Sequence, residues 1–222
     1  MKELEKIVRD RLNWDDRIDE TQIEIIIKNN IAILKGCVTT YPEKLLAEIE
    51  TQLVPGIESV VNKIEVKFPN SYEVPSDEAV KESMFCLLDA NSEIESSDIV
   101  VNINNGDIVL EGIVNSYWKK EKIQKLISQI SGVKSISNEI SIIPSEEISD
   151  DEIENLIITS MQNSVHIDAH KVDIKVKKGI VTLSGTLSSW GEYKATIDIV
   201  KSIKGVINIK DKLKWIYRYY TT

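Results

Sequence analysis

The chain repeats itself at a fixed period, and that limits its folds more than any other feature. Three stretches, Asn30-Ile31-Ala32-Ile33-Leu34-Lys35-Gly36, Gly106-Asp107-Ile108-Val109-Leu110-Glu111-Gly112 and Gly179-Ile180-Val181-Thr182-Leu183-Ser184-Gly185, each run from a turn residue through alternating apolar positions to a glycine. A second glycine follows 20 residues later in every case, at Gly56, Gly132 and Gly205, and Asn62, Asn138 and Asp211 stand six beyond that. Upstream, Ile18, Ile94 and Ile167 lie 18 residues before the first glycine, and Leu12, Leu88 and Met161 lie 24 before it. The copies are offset by 76 and then 73 residues. Such a period specifies serial copies of one folded unit, and a unit of about 70 residues is just large enough to bury its own core.

Each copy reads as α-β-β-α-β. Leu4, Ile7, Val8 and Leu12, then Val80, Met84, Leu87 and Leu88, then Ile153, Leu156, Ile157 and Met161 fall at helical spacing. Ser76-Asp77-Glu78 and Ser149-Asp150-Asp151-Glu152 supply N-caps with acidic first turns, which suit the positive end of a helix. Alternation then predicts a hairpin, with Ile99, Val101 and Ile103 turning through Asn104-Asn105-Gly106-Asp107. A second helix carries Leu45, Leu46, Ile49 and Leu53 in the first copy and Ile123, Leu126, Ile127 and Ile130 in the second. The second glycine is expected to end it. A last strand holds Val60, Ile64 and Val66, then Ile136, Ile140 and Ile142, then Ile207, Ile209 and Leu213. Pro69 to Pro75 and Pro144 to Glu147 punctuate the chain. The expected modules are therefore 1–70, 71–147 and 148–222.

The Gly-x-Val-x-Leu-x-Gly hairpin at 179–185 and Gly132-Val133-Lys134-Ser135-Ile136-Ser137-Asn138 resemble the BON domain family (bacterial OsmY and nodulation), three times over essentially the whole chain. Copy one departs with Asn30 at the hairpin turn, and copy three with Asp211 in place of asparagine. The resemblance implies an α+β fold, with two helices on one face of a small mixed three-stranded sheet in each copy. It also implies a non-enzymatic role in the cell envelope, linked to osmotic stress and phospholipid binding.

Composition narrows the functional classes. A formal charge of −9 disfavours nucleic acid as a partner. No apolar run is long enough to span a bilayer. The segment Met1 to Lys6 has no apolar stretch of a signal peptide, which points to a cytoplasmic protein, or to a periplasmic or membrane-peripheral one if other residues precede it. Cys37 and Cys86 form no metal or disulfide spacing and read as packing residues. His166 and His170 are four apart, but with few neighbouring ligands they read as solvated loop residues, so no metal site is expected. Asp19, Glu95 and Asp168 share one repeat position and read as a turn after the first helix. No nucleophile with a base beside it stands out, so neither a catalytic residue nor a cofactor is expected.

Charge is uneven among the copies. Residues 71–147 carry 6 basic and 14 acidic side chains, whereas residues 148–222 carry 11 and 9. Lys210, Lys212 and Lys214 alternate toward one strand face, followed by Trp215, Tyr217 and Arg218. Basic residues with aromatics suit anionic phospholipid headgroups. The competing reading has the aromatics covering a sheet edge or a neighbouring module. Trp118, with Lys119, Lys120, Lys122 and Lys125, and Trp190, with Tyr193 and Lys194, mark a second candidate surface at the start of the second helix. Its competing reading is an aromatic staple on its own module. The expected function is peripheral phospholipid association. A protein–protein adaptor or stress chaperone, and a cation sensor, are the alternatives.

Overall fold

Short local signals set the element boundaries in a computed structural model, which describes residues 2–215. The first copy runs α1 (Lys2–Asn13), β1 (Ile23–Lys28), β2 (Ile31–Val38), α2 (Tyr41–Gln52) and β3 (Ser59–Val66). The second runs α3 (Asp77–Asp89), β4 (Ile99–Asn104), β5 (Asp107–Val114), α4 (Tyr117–Ile127), β6 (Ser135–Asn138) and β7 (Ser141–Ile142). The third runs α5 (Asp150–Gln162), β8 (Val172–Lys177), β9 (Ile180–Leu187), α6 (Trp190–Ser202) and β10 (Asn208–Trp215). Ser76 and Ser149 cap α3 and α5, accepting from the N–H groups of Ala79 and Glu152.

Each sheet joins an antiparallel hairpin to a parallel third strand, in the orders β1-β2-β3, β4-β5-β6 and β10-β9-β8. The α+β architecture expected from the repeat is therefore present three times. The hairpin turns use paired positive φ at Asn29 and Asn30, Asn105 and Gly106, and Lys178 and Gly179, as a two-residue turn of matching twist requires. In the last two, a helix-start carboxylate holds the turn. Asp77 accepts the N–H groups of Asn105 and Gly106 at 2.8 and 3.0 Å, and Asp150 accepts those of Lys178 and Gly179 at 2.7 and 2.9 Å. The Gly179 N–H, then that of Lys178, lowers the Asp150 carboxyl below its ordinary value.

Glycine is required where the hairpin doubles against the chain. At Gly185 φ is +138°, and a methyl group there would overlap the Lys171 carbonyl oxygen. The second glycine does not end the helix as expected. α2 stops at Gln52, α4 at Ile127 and α6 at Ser202, and Gly56, Gly132 and Gly205 lie in the turn beyond. At Gly205 a Cβ would sit 2.8 Å from Ile153 Cδ1, so that glycine admits the helix α5 side chain.

The third strand of the second copy also departs from expectation. In place of one strand there are two, β6 and β7, which pair with successive parts of β5. Between them the Ile140 carbonyl accepts a 2.8 Å hydrogen bond from Lys120 Nζ on α4.

The chain groups into two compact units, one formed by 1–111 with 123–139 and the other by 112–122 with 140–222. In the first, Val8, Leu12, Leu34 and Ile64 are buried, as are Met84, Leu88, Ile108 and Leu110. In the second, Ile153, Ile157, Met161, Val181, Leu183 and Val200 form a continuous core. Tyr117 packs on that core, and Lys201 Nζ pairs with Glu121 at 2.6 Å.

Candidate functional site

A strand sends successive side chains to opposite faces, and here one face lies under the helices while the other is open. In β10, Leu213 is buried toward the helices, whereas Lys210, Lys212 and Lys214 are all exposed. The register extends the basic face across the sheet. Lys210 pairs with Thr182 and that residue with Lys175. Lys212 pairs with Ser184 and that residue with Asp173, and Lys214 pairs with Thr186. Lys177, paired with Ile180, completes the end of the face. Five ammonium groups, one carboxylate and three hydroxyls thus share one open face. Strands lie about 4.8 Å apart and alternate residues about 6.7 Å apart, so the lysines cover a patch of roughly 10 by 13 Å.

Lys175 and Lys177 were within reach of the sequence. They interleave with Val172, Ile174 and Val176, and the same alternation that marks β8 also sends the lysines outward.

The aromatic residues lie elsewhere. Trp215 is on the helix side of β10, half-buried. Its ring centroid is 5.0 Å from Trp190 and 4.8 Å from Tyr193, and Trp190 and Tyr193 stack at 4.8 Å. Tyr193 donates its hydroxyl to Asp211 at 2.5 Å. Burial first, then that carboxylate, raises the Tyr193 phenol above its ordinary value. This is packing between α6 and β10, so the structure does not join Trp190 and Trp215 to the lysine face. Trp118 lies on α4, with Lys119 and Lys122 Nζ 6.0 and 5.8 Å from its ring centre, close enough for cation–π attraction. Tyr217 and Arg218 lie outside the described residues.

Two of the three repeat acids take the same structural role, whereas Glu95 precedes its 3₁₀ turn without a side-chain cap. Asp19 and Asp168 each cap a 3₁₀ turn, accepting from the Thr21 and His170 N–H groups. The Lys171 ammonium, 3.3 Å away, then the His170 N–H, holds the Asp168 carboxyl below its ordinary value. A buried glutamate on the second helix takes the N–H of the same two residues. Glu43 accepts from Asp19 and Thr39, and Glu192 from Asp168 and Ser188, at 2.7–3.0 Å. In the second copy this position is Lys119, and the buried Ser116 Oγ has no hydrogen-bond partner. Among the described residues no cluster of three or more His, Cys, Asp or Glu side chains is arranged to hold a metal ion. No helix among them is long and apolar enough to cross a membrane.

A profile of the BON domain matches residues 2–67, 76–144 and 149–217, each match spanning one α-β-β-α-β set. The chain belongs to the BON domain family. The chain is 24% identical over 163 residues to Osmotically-inducible protein Y of Escherichia coli (strain K12), a match covering 71% of this chain and 81% of that protein. Among solved structures, the C-terminal domain of CdsD, a structural protein of the type III secretion system of Chlamydia trachomatis, aligns over 98% of this chain and 99% of its own. That alignment has 14% identity and a TM-score of 0.27. The PrgH periplasmic domain aligns over 89% of this chain and 96% of its own, with 10% identity and a TM-score of 0.21.

Proposed function

We propose that this chain is a non-enzymatic, membrane-peripheral protein of envelope or osmotic stress, divided into modules at 1–70, 71–147 and 148–222. Its third BON domain binds anionic phospholipid headgroups through the open sheet face. The observation that carries this reading is the set Lys175, Lys177, Lys210, Lys212 and Lys214 on one exposed face of a chain that is otherwise acidic. Each lysine near an anionic bilayer contributes about 1 kcal/mol, so five contribute about 5 kcal/mol, a weak and reversible hold. Threonine and serine hydroxyls between them donate to phosphate oxygens. The similarity to Osmotically-inducible protein Y supports the stress setting. The work proposed is association, and no chemical step is assigned.

The test is co-sedimentation with phosphatidylcholine vesicles, with and without phosphatidylglycerol. Binding is expected only to the anionic vesicles, fading at high salt as the charges are screened. Lys212→Glu with Lys214→Glu should reduce it sharply. Equal binding to both vesicle types, or binding unchanged in that variant, would sink the reading.

A further inference from the structure

The open sheet face of the second BON domain has the opposite sign. Strands β4, β5, β6 and β7 contain no lysine or arginine. Asp107 and Glu111 are exposed on β5, and Glu139, exposed just beyond β6, accepts from Ser137. Among the described residues, Asp107 and Glu111 likewise accept from neutral neighbours, Ser135 and Asn102. On the third domain, none of the five face lysines is engaged in an ion pair among the described residues. We propose that the basic open face of the third domain also docks a second copy of this chain, through the acidic open face of that copy's second domain.

Three observations carry this. The two faces are the same architectural surface, the uncovered side of a strand-paired α-β-β-α-β unit, so both are broad and shallow. Their charges are complementary, five lysines and one aspartate against three carboxylates, with hydroxyl and amide side chains on both faces and the apolar Val100, Val109 and Ile113 also on the acidic one. Every copy carries both faces, so each basic face meets its complement at the protein's own concentration. Such a contact is heterologous, because the donor and acceptor faces differ. Copies with a net charge of −9 repel one another as a whole, so the contact depends on local pairing and weakens once salt shortens the Debye length. It stands independently of the lipid reading, and it would place the membrane and a second copy in competition for one face.

Sedimentation velocity over a concentration series tests it. The whole chain should form species larger than a monomer at about 50 mM salt and return to monomer near 0.5 M. Lys210→Glu with Lys212→Glu and Lys214→Glu should weaken association by roughly tenfold or more, and so should Asp107→Lys with Glu111→Lys and Glu139→Lys. Mixing the two variants should restore a larger species, since the first keeps its acidic face and the second its basic one. Circular dichroism checks that each remains folded. A wild-type chain that stays monomeric at every concentration in low salt overturns the proposal, as does a variant pair that fails to associate on mixing. The acid-reversed variant should still bind anionic vesicles, so a monomeric wild type that binds them removes the self-contact and leaves the lipid reading standing.

Discussion

The second and third BON domains share a fold and differ in nearly everything the fold leaves free. Toward the helices both bury the same kinds of residue at the same register, such as Ile108 and Leu110 against Val181 and Leu183. On the open side Lys212 of the third stands where the second has Glu139. Lys175, Lys177, Lys210 and Lys214 stand where the second has Asn102, Asn104, Ser137 and Ser141, and its Asp107 and Glu111 correspond to Ile180 and Ser184. At the start of the second helix the third has Glu192, tied to two backbone N–H groups, and the second has Lys119. The third closes its sheet with one strand of eight residues, whereas the second breaks it around Ile140. The difference teaches that the inward half of each strand specifies the domain. The outward half is free to set what that domain meets.

Four substitutions break or sharpen the comparison, beginning with the largest effect. Gly185→Ala should damage the third domain by about 3 kcal/mol or more, because φ at +138° and the Lys171 carbonyl leave no space for a methyl group. A lowered thermal midpoint would show it. Glu192→Lys gives the third domain the residue of the second and leaves the Asp168 and Ser188 N–H groups without their acceptor. The expected loss is about 2–3 kcal/mol, and a urea series reads it. An unchanged midpoint would mean that the carboxylate contributes nothing to the fold.

The converse exchange, Lys119→Glu, should stabilise the second domain by about 1 kcal/mol, since it places an anion at a helix start that now carries cations. Asp150→Asn should have the smallest effect, and one that depends on pH. The folded carboxyl is lowered by the Gly179 and Lys178 N–H groups. Its contribution is therefore present above the unfolded value, near pH 4, and is lost as pH falls through the lower folded value. Wild type and variant should differ in urea midpoint at pH 7, and the difference should shrink steadily as pH falls below about 4.

Much of the fold was legible because it rests on periodic signals. The caps at Ser76 and Ser149, the hairpin turns and the buried stripe Val80, Met84 and Leu88 are local, and local chemistry is written in order. The helix ends were misplaced because Gly132 and Gly205 serve a close approach to another helix, which no neighbouring residue announces. The broken strand depends on Lys120 reaching a carbonyl twenty residues away. The candidate face was half legible. Lys210, Lys212 and Lys214 stand out by alternation, but Lys175 and Lys177 join them only through pairing across β9. The aromatic residues misled for the same reason. Trp190 and Trp215 are far apart in sequence, and their mutual stacking shows only once α6 lies over β10.

The central claim is that position on the third sheet, and not net charge, directs this protein to an anionic surface. The most direct test compares two triple charge reversals of equal size. One is Lys175→Glu with Lys210→Glu and Lys212→Glu on the third domain. The other is Lys28→Glu with Lys35→Glu and Lys63→Glu on the open face of the first, where those lysines flank apolar Ile31, Ile33 and Val61 and the exposed acids Glu24 and Glu65. Binding to phosphatidylglycerol vesicles at low salt should be lost in the first variant and largely kept in the second. Equal loss in both would reduce the effect to bulk charge and contradict the account.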